Sequence, residues 1–193
     1  MSINLMKTLI FNGSPRKNGD TFSLIKDLLE QIEGEFHIVN AYDCDIKPCI
    51  DCRYCWNKDG CSQKDGMQEV YQWIQDSDNI VIATPIYFSQ PTGQLLAIMS
   101  RLQTYFCAKY IRKEIPVAKS KKGGVILVGG GEGNIESAYH TANVLLHDMN
   151  AMDIAPVIYS SNTDRIPSLK DEAVRTKIKD LADFFNESRQ IEL

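Results

Sequence analysis

No apolar run in these 193 residues approaches the length needed to span a bilayer, and Met1 to Met6 is too short and polar for a signal peptide. No basic stripe and no basic segment interleaved with aromatics stands out. With a formal charge of −4 and a pI near 5.4, this argues against nucleic acid as the main partner. The expectation is a cytoplasmic protein with neither membrane nor nucleic acid as partner. Only three histidines are present, and no Ser/His/Asp or Cys/His constellation for nucleophilic catalysis emerges. His37, His140 and His147 read as surface positions. Repeats and low-complexity linkers are also missing, so residues 1–193 read as one domain, long enough for a substantial core. The lysines between Lys119 and Lys122 read as a solvated turn before a strand.

What the chain does have is concentrated first in Lys7 to Ile32. A strand, Thr8 to Phe11, runs into Asn12-Gly13-Ser14-Pro15-Arg16-Lys17-Asn18-Gly19-Asp20-Thr21 and then a helix. Leu24, Ile25, Leu28, Leu29 and Ile32 recur at helical steps, and Asp20 or Thr21 can cap the start. A polar loop entering a helix N-terminus offers unpaired amides and a positive dipole end to an anion. Ser14, Asn18 and Thr21 add neutral donors, and Arg16 a fork suited to phosphate. Five residues separate Gly13 from Gly19, and Asp20 stands where a Walker lysine would be, so the loop is not a Walker A motif. The dinucleotide fingerprint is absent too. A longer loop for a terminal phosphate remains.

Further along, Glu35 to Asn40 reads as a second strand and Asn79 to Ala83 as a third, apolar enough for the centre of a parallel sheet. Gly124 to Val128 is a fourth strand, and Ile154 to Tyr159 a fifth, placed at an edge by Pro156. Helices are expected from Met67, with Asp65 as cap; over Gly93 to Tyr110; over Glu136 to Met149; and after a Ser168 cap. The Gly93 to Tyr110 segment carries apolar residues around more than one face, as a helix covered by both sheet and second subunit would. Alternating strands and helices imply a doubly wound five-stranded parallel sheet. Four unusual loops then emerge at its carboxyl edge, where such folds bind ligands. A mononucleotide suits that edge. Its phosphate would occupy the first loop, and its flat ring would lie between Pro85-Ile86-Tyr87-Phe88 and Gly130-Gly131, whose amides can reach ring carbonyls.

The loop after the second strand, residues 44–63, holds most of the six cysteines. Cys49-x2-Cys52-x2-Cys55-x5-Cys61 is too bunched for a disulfide framework. Three tightly spaced thiols plus a fourth suit compact iron–sulfur ligation. The spacing fits a zinc site less well, since zinc usually takes two separated pairs; free or redox-active thiols are the third reading. Cys44 and Cys107 read as ordinary small buried residues.

Taken together, Gly13 to Thr21, Thr84-Pro85-Ile86-Tyr87-Phe88 and the cysteine run resemble the flavodoxin-like NAD(P)H-dependent FMN reductases. Within these, the chain is most similar to the iron–sulfur flavoprotein group. The resemblance implies strand order 2-1-3-4-5, a homodimer or higher homo-oligomer, and FMN with NAD(P)H as electron donor. By it, Ser14, Arg16, Asn18 and Thr21 bind the FMN phosphate. Pro85, Ile86, Tyr87, Phe88, Gly130 and Gly131 line the isoalloxazine, and Cys49, Cys52, Cys55 and Cys61 would ligate a [4Fe-4S] cluster. Electrons would leave to a quinone, free flavin or protein acceptor; a flavodoxin-like carrier or a redox sensor is the alternative. No protein nucleophile or base is called for, since the flavin carries the chemistry. The chain departs from its relatives at Leu96 and Ser100-Arg101, where they often carry a Lys and an Asp-Arg pair. It departs again at Asp65-Gly66-Met67, where they often have Asp-Asp-Met.

Overall fold

The computed structural model describes residues 5–187. In chain order the first elements are β1 (Lys7–Asn12), α1 (Asp20–Leu29), β2 (Glu35–Asn40), the single turn α2 (Tyr54–Asn57), α3 (Met67–Asp76) and β3 (Asn79–Tyr87). There follow β4 (Gln90–Pro91), α4 (Gly93–Met99), α5 (Gln103–Cys107), β5 (Lys121–Val128), α6 (Glu136–Asp148), β6 (Ala151–Ile154), β7 (Ile158–Ser160) and α7 (Glu172–Asn186). Five parallel strands lie in the order β2-β1-β3-β5-β6, the flavodoxin-like order; β4 pairs antiparallel with β3, and β7 continues beside β5. No helix of the described residues is long and apolar enough to cross a membrane.

The pleat sorts the core into two layers. Leu9, Phe11, Ile80, Ile82, Val125 and Leu127 point to the face covered by α3, α4 and α6. Ile10, Val81, Ala83, Ile126 and Val128 point to the opposite face, covered by α1 and α7. All of these side chains are buried. At about 25 cal/mol per Å² of apolar surface, such two-sided burial is the main term holding the sheet together. The carboxyl ends of the strands stay open as loops, and the site is built there.

Several expectations need correction. The lysines at 121 and 122 are strand residues, not a solvated turn: both are buried. Lys121 Nζ donates to the carbonyls of Ser77 and Lys119, each at 3.1 Å, with Gln75 O at 3.4 Å. Lys122 Nζ donates to Phe184 O and, at 2.9 Å, to Glu187 O. Alternation sends the two ammonium groups to opposite faces, where each meets the carbonyl-rich end of a helix, α3 or α7. Neither Asp20 nor Thr21 caps α1; Asp20 Oδ1 instead accepts from Ser168 N at 2.7 Å. Ser168 is buried against Ser160, their hydroxyls 2.7 Å apart, and Asp171 caps α7 through the amides of Ala173 and Val174. The fifth strand is split by Pro156 into β6 and β7, since proline cannot donate to the ladder. The expected helix from Gly93 runs to Arg112, but as α4, a 3-10 turn (Ser100–Leu102), α5 and a π turn (Ala108–Arg112). The Ser100 hydroxyl, donating to Ala97 O at 2.6 Å, sits where the winding changes.

Candidate functional site

The phosphate-type loop is fastened from below. Gly13 N donates to Ala83 O at 2.8 Å, and Gly13 O accepts from the Thr92 hydroxyl at 2.8 Å. The Thr84 hydroxyl accepts from Thr92 N at 3.3 Å and donates to Pro85 O at 2.9 Å. A Cβ on Gly13 would stand 2.6 Å from that Thr84 oxygen and 2.9 Å from Leu95 Cδ2. Only glycine lets the loop leave β1 so close to β3. The loops after two neighbouring strands are thereby locked together at the start of α4.

Above this floor lies a cleft of about 190 Å³. One end is lined by Ser14, Arg16, Gly19 and Thr21, and the other by Pro85, Ile86, Tyr87 and Gly130. Asn18, Phe88 and Gly131 lie outside the lining. Asn18 is exposed on the loop, Phe88 stands free at the tip of the β3–β4 hairpin, and Gly131 is exposed beyond the cleft. Ser14 Oγ accepts from Arg16 N at 3.2 Å, which shapes the loop. Thr21, buried at the start of α1, also lines the cleft and brings a hydroxyl to its wall. The first-turn amides of α1 have no intrahelical acceptor. An anion bearing several oxygens is what this donor set fits, and a phosphate supplies it.

The hairpin turn is strained in a defined way. Phe88 and Ser89 both have positive φ, 52° and 60°, as a type I′ turn requires and as non-glycine residues rarely adopt. The turn holds the Tyr87 and Phe88 rings at the rim, 45% and 102% exposed. Sequence reasoning missed a fifth loop. After β7, Thr163 and Asp164 also line the cleft, and their amides donate to Gly129 O and Gly130 O at 3.1 and 3.3 Å. A Cβ on Gly130 would meet the Asp164 carboxylate at 2.6 Å. The available signal was position: Asn162-Thr163-Asp164 follows the last strand at the same carboxyl edge.

The cysteine loop builds a second hollow, lined by Cys49, Cys52, Cys55 and Cys61. Asp51 and Arg53, at φ 49° and 58°, turn the chain sharply between the first three thiols. Cys49 Sγ accepts from Asp51 N at 3.5 Å. The helical stretch after α4 staples the loop at helical intervals. Ser100 Oγ accepts from Cys49 N at 2.9 Å, Thr104 Oγ1 donates to Gly60 O at 2.9 Å, and Arg112 donates to Cys55 O. Arg101 joins Asp65 in a two-pronged pair, 2.7 and 3.1 Å; both are residues this chain shares with its relatives, and Ser100 and Gly66 beside them are the departures. Burial pushes the Asp65 carboxyl up, but the Arg101 fork and the amides of Lys47 and Met67 outweigh it and hold it below the usual range.

Cys107, read from sequence as an ordinary buried residue, lies with its Sγ 3.5 Å from Cys55 Sγ. Desolvation, then the neighbouring Cys107, pushes the Cys55 thiol up to about 12. Cys52 is exposed, and its thiol is pulled down chiefly by the Ser62 hydroxyl 3.1 Å away. Among the described residues no three His, Cys, Asp or Glu side chains gather tightly enough for a single metal ion. A multi-iron cluster spreads its thiolates further apart than a lone ion does. Four thiols lining one hollow are nevertheless the donor set that iron–sulfur ligation takes.

A family model described as NADPH-dependent FMN reductase matches residues 6–165. The chain belongs to this reductase family. Its members are flavin-dependent NAD(P)H oxidoreductases, so FMN is the cofactor that the cleft is to be read against. Among similar curated proteins is an iron–sulfur flavoprotein of Archaeoglobus fulgidus, 30% identical over 165 residues, which span 84% of this chain and 70% of that one. Two solved reductases share the fold. An NAD(P)H:quinone oxidoreductase from Methanothermobacter marburgensis aligns with a TM-score of 0.71 at 12% identity, over 96% of this chain and 99% of that one. An FMN-dependent NADH-azoreductase from Bacillus anthracis, in complex with FMN, aligns at 0.66 and 17% identity, over 94% of this chain and 100% of that one.

Proposed function

We propose that this reductase accepts hydride from NAD(P)H on FMN and passes electrons to a quinone, a free flavin or a protein through an iron–sulfur centre. Bound FMN supplies the chemistry of exchanging one or two electrons. The protein's part is to hold and orient it. Thr21, Ser14, Arg16 and the α1 amides grip the phosphate, and Asn18 closes over it from the loop surface. Pro85, Ile86, Tyr87 and Phe88 flank the ring, with Gly130 and Gly131 offering amides to ring carbonyls. Such donors favour a ring that gains negative charge on reduction.

One observation carries the electron path. Thr92, at the start of α4, bonds to Gly13 beneath the phosphate loop, while Ser100, eight residues on, bonds to the Cys49 amide. At 1.5 Å per residue the anchors Thr92 and Ser100 stand about 12 Å apart along one helical stretch, which carries both the floor of the phosphate loop and the start of the cysteine run. Cys49, Cys52, Cys55 and Cys61 are the ligands in this reading. The exposed rims support a homodimer: Phe88, Phe106 and Tyr110 leave large apolar surface uncovered, and the last two rings pack tilted at 43° with centroids 4.7 Å apart. The Cys55–Cys107 contact favours a second reading, redox-active thiols with no metal.

The test is a visible spectrum with iron and zinc analysis of anaerobically purified protein, followed by steady-state turnover of NADPH or NADH with a quinone. Yellow-brown protein containing iron, with quinone-dependent turnover, is the expected result. Iron-free protein that still turns over removes the cluster and keeps the oxidoreductase; no turnover with either nucleotide favours an electron carrier.

A further inference from the structure

Arg101 is 1% exposed and lines the cysteine hollow. Its guanidinium has five N–H donors, and four have acceptors. Nη1 donates to Lys47 O at 2.8 Å and Asp65 Oδ2 at 2.7 Å; Nη2 donates to Asp65 Oδ1 at 3.1 Å and Gln63 O at 3.3 Å. Lys47 lies just before Cys49 and Gln63 just after Cys61, so one side chain ties both ends of the cysteine run. The fifth donor, Nε–H, is buried with no partner among the described residues. A buried N–H is seldom left unpaired in a folded protein. This one belongs to a cation in the wall of a hollow lined by four thiols.

We propose that Arg101 positions and tunes the iron–sulfur centre, its Nε–H donating to a cluster or thiolate sulfur. This rests on the cluster reading above. Hydrogen bonds to the sulfurs and local charge are two of the levers that set such potentials. Four thiolates bring more negative charge than the irons balance, and Asp65 adds to it. With Arg101 in place the Asp65 charge is cancelled and one sulfur is bonded. Without it, an added electron would enter a more negative, low-dielectric surrounding.

Three measurements on anaerobic, FMN-containing protein test the assignment. In wild type labelled with 15N-arginine, the electron spin of the reduced centre should couple to an arginine nitrogen. Arg101→Lys, which keeps the charge but not the Nε–H, should lose that coupling while holding iron within twofold of wild type. Arg101→Gln should make reduction of the centre at least tenfold less favourable, a fall of about 59 mV for one electron. FMN content reports whether each variant folds; if the Gln variant loses FMN, the labelled wild type and the Lys variant decide. Iron-containing wild type without arginine coupling overturns the role of Arg101 and leaves the cluster standing. So does an unchanged potential in folded Arg101→Gln. Wild type that holds no iron, even after anaerobic reconstitution, overturns the cluster and this role together.

Discussion

Gly13→Ala tests whether the floor of the flavin site is as tight as the distances say. The new methyl would stand 2.6 Å from Thr84 Oγ1 and 2.9 Å from Leu95 Cδ2. Leu95 Cδ2 is the end of a flexible chain and can swing. The Thr84 oxygen is held by two hydrogen bonds, to Thr92 N and Pro85 O. If it yields, the buried Thr92 amide loses its partner, at about 1–3 kcal/mol. If it holds, the overpacked loop must lift, at about 1–3 kcal/mol. Either way the variant should lose between about 1 and 3 kcal/mol in denaturant unfolding of the FMN-free protein, and FMN should bind more weakly. In a Thr84→Gly background both the oxygen and the Thr84 Cβ, itself 2.9 Å from the methyl, are gone, so the same methyl should cost less, with a coupling of at least about 0.5 kcal/mol. A single variant within about 0.5 kcal/mol of wild type would refute the steric argument. So would a full cost that persists in the double variant.

Arg16→Ala and Thr21→Ala should each weaken FMN by about 1–3 kcal/mol in fluorescence titrations, through lost bonds to phosphate; wild-type affinity in both sinks the phosphate assignment. Cys52→Ala should remove iron from anaerobic preparations and leave FMN bound, read by metal analysis and the flavin spectrum. Asp65→Asn strands the buried Arg101 charge and should cost about 3–5 kcal/mol near neutral pH. Because the Asp65 carboxyl is held below its unfolded value, its stabilising contribution exists above that value and is lost as pH falls through the folded one. The stability curves of wild type and variant should therefore converge on acidification, and parallel curves would contradict this. Ser89→Gly removes a non-glycine residue from positive φ and should stabilise the FMN-free protein by about 0.5–1 kcal/mol in thermal or denaturant unfolding.

Local periodicity and chain order were enough to place the main elements. Short continuous apolar runs in β1, β3 and β5 and a period near 3.6 in α1, α6 and α7 are written residue by residue, and alternation of strand and helix forces parallel pairing. Every strand then ends at the same edge, so the loop at Ser14 to Thr21, the aromatic loop at Pro85 and the cysteine loop were placed together before any contact was known. Caps were harder to read, because a carboxylate or hydroxyl beside a helix start has more than one amide within reach. Asp20 bonds Ser168 N rather than its own helix, and which amide wins depends on a loop 148 residues away in sequence.

Solvation and pairing between remote residues were decided by tertiary structure alone. A lysine carries no mark in sequence that says whether water or a helix end will surround its ammonium. The burial of Lys121 and Lys122 follows only from where α3 and α7 stop. Arg101 with Asp65, Cys107 with Cys55 and Asp164 over Gly130 are likewise meetings of segments far apart along the chain. Local pattern sets which face a side chain presents; packing of the whole sets what that face meets, and with it the charges and free donors available to the site.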